Sequence, residues 1–324
     1  MTVVDVNLEL AACWGNWERI IGWWNELASR RARSNAARRS AAPLLQSHLT
    51  WHKLTFRLMR KRVKHSASAR KLHRAAAPIK ILPVPGLPEF REGDDLTAEI
   101  VVAVRRARFR FENGDVLVIA QKIISKSEGR LTQLSAVVPS PRATELAAKL
   151  KKDPRLIEVI QRESRRIVRS DPVLIVETHH GLVCANAGVD QSNIPGSDVV
   201  SLLPRDPDGS ARRLAAALRK STGKRIAVII SDTFGRPWRL GLTNVAIGAA
   251  GVPALLDLRG RRDLHGKPLH ATIIAVADEL AAAAGLVMGK AAAIPAVVIR
   301  GYRYRFTVDP AARIIRPASE DLFR

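Results

Sequence analysis

Residues 226–239, Ile-Ala-Val-Ile-Ile-Ser-Asp-Thr-Phe-Gly-Arg-Pro-Trp-Arg, decide how this chain is read. The apolar, largely β-branched run at their start predicts a buried strand at 226–231. Polar chemistry begins where it ends, with Asp232 and Thr233 and then Arg236 and Arg239. A second stretch, residues 184–193, reads Cys-Ala-Asn-Ala-Gly-Val-Asp-Gln-Ser-Asn; it follows the apolar run Val173–Val176 and places Asp190 just past it. Asp190, Asp232 and Thr233 would supply three oxygen ligands from two strand ends. Hard oxygens beside guanidinium groups suit a divalent cation that carries phosphates. Taken alone, Asp190 is a turn aspartate and Asp232 an N-cap. Together with Asn193, Thr233 and the two arginines they point to an active site.

Outward from these motifs, Ile81–Phe90 reads as a short strand breaking into a Pro/Gly turn. Asp94 or Asp95 caps a helix through about Arg106. Asn113-Gly114-Asp115 is a turn before a buried strand at Val116–Ile124. Ala143–Lys152 is helical, and Asp153-Pro154 opens a helix whose apolar face takes in Ile157, Ile160, Ile167 and Val168. Strands are expected at 173–178, 182–185, 272–277 and 296–300, with helices at 209–220 and 278–288. The order is not a regular βαβ alternation, so the expected class is α+β with mixed sheets rather than a doubly wound fold.

Composition divides the chain near residue 80. Its net charge is +23, from 53 Lys/Arg and 30 Asp/Glu. Residues 1–80 hold 16 of the basic and 4 of the acidic residues, leaving 37 and 26 for three times the length. Five of the six tryptophans also lie before residue 52. Residues 8–33 have the spacing of an amphipathic helix, and 29–80 the composition of a disordered segment. A membrane-surface anchor, an RNA-binding tail and an organellar presequence are the functional readings of this extension. The plain reading is an extension with no part in the chemistry. Residues 81–302 form the expected catalytic domain, and 303–324 a peripheral tail. No run of 18 apolar residues occurs, so no transmembrane helix is expected. Two cysteines imply no disulfide framework and point to the cytoplasm.

Familiar nucleotide motifs are missing. Ser221-Thr222-Gly223-Lys224 fails as a P-loop, because Leu218 and Arg225 stand where Gly and Ser/Thr are needed. Gly223 reads as a helix C-cap, and no GxGxxG opens a helix. His179 and His180 lack partners at zinc spacing. Cys184 reads as an inert core thiol and Asp206 and Asp208 as helix caps. Lys126 is either a phosphate ligand or a solvated hairpin lysine. After residue 80 aromatic and basic residues are not interleaved, which disfavours a nucleic-acid-binding protein.

In order along some 220 residues stand Gly86-Leu87-Pro88-Glu89 with Glu92-Gly93-Asp94-Asp95, Ile124–Arg130, Cys184–Asn193, Asp206–Ala211, Ser231–Arg236, Ala277–Leu280 and Met288-Gly289-Lys290. With these strings the chain from Ile81 to Tyr302 closely resembles the coenzyme F420:L-glutamate ligase family, the γ-glutamyl ligases of deazaflavin cofactor biosynthesis. The resemblance implies a two-lobed, mixed-sheet α+β fold working as a homodimer. It also implies GTP-dependent addition of L-glutamate to the lactyl carboxylate of F420-0, through an acyl phosphate, with Mn²⁺ or Mg²⁺ and stimulation by K⁺. Position by position it makes Asp190, Asp232 and Thr233 metal ligands, with Asp190, Asp232 and Arg236 at the chemistry. Leu87, Pro88, Glu89, Phe90, Gln121, Lys122, Lys126 and Asn193 become GTP contacts. So does the segment Met288, Gly289, Lys290, Ala291, Ala292, Ala293 and Ile294. Some members place an acidic metal ligand where this chain has Lys290, a residue that instead suits phosphate charge. Some actinobacterial relatives append a flavin-binding nitroreductase-like domain, which is not expected in a chain of this length. An amide-forming ligase acting on a different carboxylate is the remaining alternative.

Overall fold

The computed structural model describes residues 78–194 and 196–321. The expectations for residues 1–77 lie outside the described residues. Strand β1 (Lys80–Pro83) leads into helix α1 (Leu96–Arg106). The Asp95 carboxylate accepts from the Ala98 amide at 3.0 Å, and Glu99 and Arg105/Arg106 match the two ends of the helix dipole. Strand β2 (Val116–Ala120) passes directly into helix α2 (Gln121–Ser127). There follow β3 (Leu131–Gln133), α3 (Pro141–Leu150), α4 (Pro154–Arg162), β4 (Ser164–Arg169), β5 (Ile175–Thr178), β6 (Val183–Ala185) and β7 (Val199–Ser201). The chain continues through α5 (Pro207–Thr222), β8 (Ala227–Arg236), β9 (Arg239–Ala250), β10 (Leu256–Asp257), β11 (Ile273–Ile274), α6 (Val276–Met288) and β12 (Ala296–Arg300).

The class is α+β with a mixed sheet, as expected. The main sheet runs β1-β12-β2-β8-β9, and its one parallel pair is β2 with β8. Successive side chains alternate between its faces. Leu117, Ile119, Val228 and Ile230 pack with Ile100 of α1 and Leu214 and Leu218 of α5. On the other face Val116, Val118, Ala227 and Ile229 meet Leu280 and Ala284 of α6. Both faces are covered, so these strands read as unbroken apolar runs. A smaller lobe has a separate core, in which Ile157 and Ile160 of α4 pack on Leu174, Val176 and Val200.

Several expectations are corrected. The strand expected at Val116–Ile124 stops at Ala120, and Gln121 starts a helix. The helix expected to reach Val168 ends at Arg162; Ser164 returns its hydroxyl to the Ile160 carbonyl at 2.5 Å, and the chain enters β4. There the pair Arg166 and Glu177 meets across β4 and β5 at 2.7 Å. The strand expected at 272–277 is only Ile273–Ile274, and α6 begins two residues earlier than expected. Asp206 is the N-cap of α5, accepting from Gly209 at 2.8 Å. Asp208 is not a cap: it accepts from the amides of Ala249 (2.8 Å) and Ala311 (2.7 Å), fastening β9 and the C-terminal segment to α5. That segment is packed rather than peripheral, with Ala311 buried and Arg225 stacked 5.2 Å over the Phe306 ring.

Candidate active site at the carboxyl ends of the parallel strands

Strands β2 and β8 run side by side in register as far as Ala120 opposite Ser231, where β2 ends and β8 continues paired with β9 alone. Ligand sites of open sheets lie at such carboxyl ends. Helix α2 leaves β2 here, and β12 enters beside it, with the Ala120 amide bonded to the Pro295 carbonyl at 2.8 Å. The 289–295 loop therefore lies at this end too. Two buried polar atoms at this edge, Gln121 Nε2 and Ser231 Oγ, have no hydrogen-bond partner among the described residues.

Asp190 arrives from the smaller lobe. Its backbone bridges Ser201, exchanging bonds of 3.1 and 2.9 Å, which fixes the loop that follows. Lys122 of α2 reaches across to it: Nζ lies 2.7 Å from Asp190 Oδ2, 2.8 Å from Ser192 O and 2.7 Å from Ser192 Oγ. One turn on, the buried Lys126 donates to the Asn193 carbonyl at 2.9 Å and is ion-paired with Glu89. It is thus a helical, buried lysine rather than a hairpin one. Asn193 adopts a left-handed conformation, φ 57°, which turns its carbonyl toward α2. Two lysines spaced i, i+4 on one helix face pin the whole loop.

Asp232 lies within β8, not past its end, because β9 pairs with the motif through Arg236. Burial pushes its pKa up from 3.8 to about 6, against the Thr233 amide and the charges of Lys122 and Lys290; Asp190 adds to the rise. The two carboxylates are therefore close enough to feel each other. Asp190 differs: burial raises its pKa too, but the Lys122 bond and the Ser192 donors outweigh it and hold the group below its usual value. Their surroundings move the pair in opposite directions, Asp190 below and Asp232 above the usual carboxylate value.

Thr233 faces the other way along the strand. Its hydroxyl donates to Asn244 Oδ1 at 3.1 Å and accepts from Lys290 Nζ at 3.0 Å, on the α6 side of the sheet. Asp232 instead alternates with Ile230 and Phe234 toward the α1/α5 side. Arg236 is not brought to the carboxylates. It sits four residues along β8, ~13 Å at strand rise, and donates to the Leu240 carbonyl at 2.6 Å, closing its own hairpin. The Phe90 side chain is buried in the core under β2. Leu87 packs on the same core, and Pro88 is exposed. Met288 is buried and accepts from Asn244 Nδ2 at 3.5 Å. Gly289 (φ 56°) ends α6, Lys290, Ala291, Ala292 and Ala293 are exposed, and Ile294 packs on the core beneath α6. Sequence reasoning missed Asn244, which lies on β9, a strand it did not expect.

Among the described residues no group of three or more His, Cys, Asp or Glu is placed to hold a metal. The donor set at this edge is Asp190 and Asp232, hard anionic oxygens of the kind Mg²⁺ and Mn²⁺ take, with the rest of the shell open to phosphate and water. A lysine ammonium already lies against that pair, which marks it as a place where positive charge is favoured. These residues fit such an ion.

Fold and site together define an α+β protein with Asp190 and Asp232 at a sheet edge, Lys122 bonded to Asp190 and Lys126 and Lys290 bonded to the neighbouring Asn193 and Thr233, an arrangement suited to polyanions and a hard cation. Residues 86–301 match the family model described as F420-0:Gamma-glutamyl ligase. A coenzyme F420:L-glutamate ligase of Methanothermobacter thermautotrophicus is 46% identical over 250 residues, covering 76% of this chain and 99% of that protein. Its counterpart in Methanopyrus kandleri is 50% identical over 252 residues, 76% of this chain and 98% of the relative. That of Methanocaldococcus jannaschii is 44% identical over 240 residues, with 74% and 94% covered. The chain belongs to the F420-0:γ-glutamyl ligase family.

Proposed function

We propose that this protein joins L-glutamate to the lactyl carboxylate of F420-0 at the expense of GTP, and extends the tail with further γ-linked glutamates. The carrying observation is the convergence of Asp190, Asp232, Lys122, Lys126 and Lys290 on one sheet edge. Relatives with the corresponding names align over nearly their whole length.

A carboxylate is a poor acyl donor, so the acceptor oxygen first attacks the γ-phosphorus of GTP, giving an acyl phosphate and GDP. The glutamate amine then attacks the acyl carbon, and phosphate departs as the amide forms and the amine loses its proton. Phosphoryl transfer demands positioning and charge neutralisation more than covalent help. Lys122 and Lys126, fixed by the 190–193 loop, present ammonium groups from one side; Lys290 presents another from beyond Thr233. The unpartnered Gln121 Nε2 and Ser231 Oγ are a donor and a donor–acceptor held ready for ligand oxygens. A Mn²⁺ or Mg²⁺ ion held by Asp190 and Asp232 would supply further positive charge to the phosphates. The Gly289–Ile294 loop offers backbone to the nucleotide, and K⁺ belongs to the same reading as an activator.

The reading includes a homodimer. The β8–β9 hairpin carries Trp238, Leu240 and Leu242 exposed near its tip, an apolar patch of the kind that marks an interface. Among the described residues no helix is long and apolar enough to cross a membrane.

Mass spectrometry of F420-0 incubated with the protein, GTP, Mn²⁺ and L-glutamate tests the class. Increments of one glutamyl unit are expected, and chelation of the metal should abolish them. With ¹⁸O in the acceptor carboxylate, label should appear in released phosphate. Increments that persist without GTP, or phosphate that carries no label, would refute the acyl-phosphate route. Glutamylation of another carboxylate but not of F420-0 would favour the alternative acceptor.

A further inference from the structure

The acceptor in the proposed reaction bears its reacting carboxylate at one end and a planar deazaflavin ring at the other. The lysine-bearing edge accounts only for the anionic end. Beside it, at the edge of β9, opens a cavity of about 470 Å³, within the range of roughly 300–1,000 Å³ that takes ligands of this size. Its walls lead back to Asp232. Phe234 is two residues along β8 on the same face, and Val245 is the register partner of Asp232 on β9. Leu182 opens the β6 segment that carries Cys184, whose thiol is perturbed by the Asp232 charge.

The polarity of the cavity suits a neutral ring. Asp208 and Asp278 in its lining are engaged by backbone amides, Asp278 by Ala246 at 2.9 Å. No lysine lines it, and its other charged groups, Arg205, Asp206 and Arg316, are exposed. His180 adds a directional group. Its Nε2 donates to the Pro204 carbonyl at 2.9 Å, and its Nδ1 is buried with no hydrogen-bond partner among the described residues. A ring with an N–H edge supplies the donor that this atom lacks. We infer that this cavity is the acceptor's ring pocket, with the deazaflavin laid against Phe234 and its tail directed to Asp232. The inference rests on the proposed reaction, since it takes its ligand from there.

Binding of F420-0, and of the deazaflavin–ribitol fragment that lacks phosphate and lactyl groups, to the full chain tests it, with a fluorescent GTP analogue titrated in parallel. The fragment should bind saturably and displace F420-0 but not the nucleotide. Phe234→Ala removes the ring's platform, and Ile315→Trp fills the cavity from the C-terminal segment. Each should weaken fragment binding by about tenfold and leave nucleotide binding unchanged. A wild-type chain that binds F420-0 but not the fragment overturns the inference. So do variants with wild-type fragment affinity, or variants that lose nucleotide and fragment binding equally. A wild-type chain that binds nucleotide but neither F420-0 nor the fragment overturns the proposed reaction itself.

Discussion

An ammonium group 2.7 Å from Asp190, and near enough to Asp232 to oppose the rise in its pKa, has two effects at once. It holds a loop from the smaller lobe against the main sheet, and it compensates part of the negative charge that two neighbouring carboxylates concentrate. Replacing Asp232 with Ala removes one of the two anionic oxygen donors, and glutamylation should slow roughly a hundredfold or more, the size seen when one electrostatic stabiliser is lost. Circular dichroism should be unchanged, and near-normal turnover would take Asp232 out of the mechanism. Cys184 shifts in the same direction as Asp232, because burial, helped by the Asp232 charge, pushes its pKa to about 12. A thiol with a raised pKa stays neutral below that value, so at pH 8 almost no thiolate is present. Peptide mapping after iodoacetamide should find Cys184 unmodified in the folded protein and alkylated once it is denatured. Asp232 stands out in the sequence because it follows the apolar run Ile226–Ile230 almost directly, and Asp190 because it sits among small and polar residues between Asn186 and Asn193. The Lys122 partnership does not, since Lys122 and Asp190 are 68 positions apart. Arg236 misled for a local reason: proximity in sequence suggested proximity to the carboxylate, but in a strand four residues carry it well away.

At the level of elements, the largest omission from the sequence reading is β9. Its residues 239–250 include Gly241, Gly248, Ala246, Ala249 and Ala250, a composition that argues against a strand by propensity alone. The reason for the small side chains is packing, with α5 and α6 both lying on this strand. A Cβ at Gly248 would sit 2.4 Å from the Pro207 carbonyl oxygen at the start of α5. Gly248→Ala should therefore force α5 outward and destabilise the protein by about 1–3 kcal/mol, read as a lowered urea midpoint. A neutral substitution there would show that the approach is looser than described. Helix caps were read more reliably. Ser, Asp and Gly at helix ends act within one turn, so Asp95, Asp153, Asp206 and Gly223 needed no tertiary information. Asp208, two residues from one of these caps, serves segments 41 and 103 positions away, and nothing local reveals that.

For the whole molecule, the relatives align over nearly all of their own length with about three-quarters of this chain. The matched domain begins at residue 86, so the strongly basic residues 1–77 add to a unit that the relatives do without. A chain lacking residues 1–77 should fold and glutamylate at the wild-type rate; a soluble, folded but inactive product would show that the extension takes part. Leu240→Asp with Leu242→Asp should convert the proposed dimer to monomer in sedimentation velocity, and an unchanged mass would place the interface elsewhere. The division near residue 80 could be read from charge and tryptophan distribution, which need no coordinates. The α+β class followed from element order, whereas the pairing order of the main sheet did not, since pairing joins residues that no local pattern relates.

That pairing order has a consequence for biosynthesis. β1 lies against β12, Lys80 opposite Arg300, and β2 waits for β8, Val116 opposite Ala227. With translation at roughly 5–20 residues per second, β2 emerges on the order of ten seconds before β8, its first neighbour, exists. Throughout that interval Val116–Ile119 is a sticky, unpaired ribbon on the nascent polypeptide. Chaperone capture on the ribosome, and a sharp loss of yield when the message is cut short of residue 296, are what such an arrangement exposes the cell to.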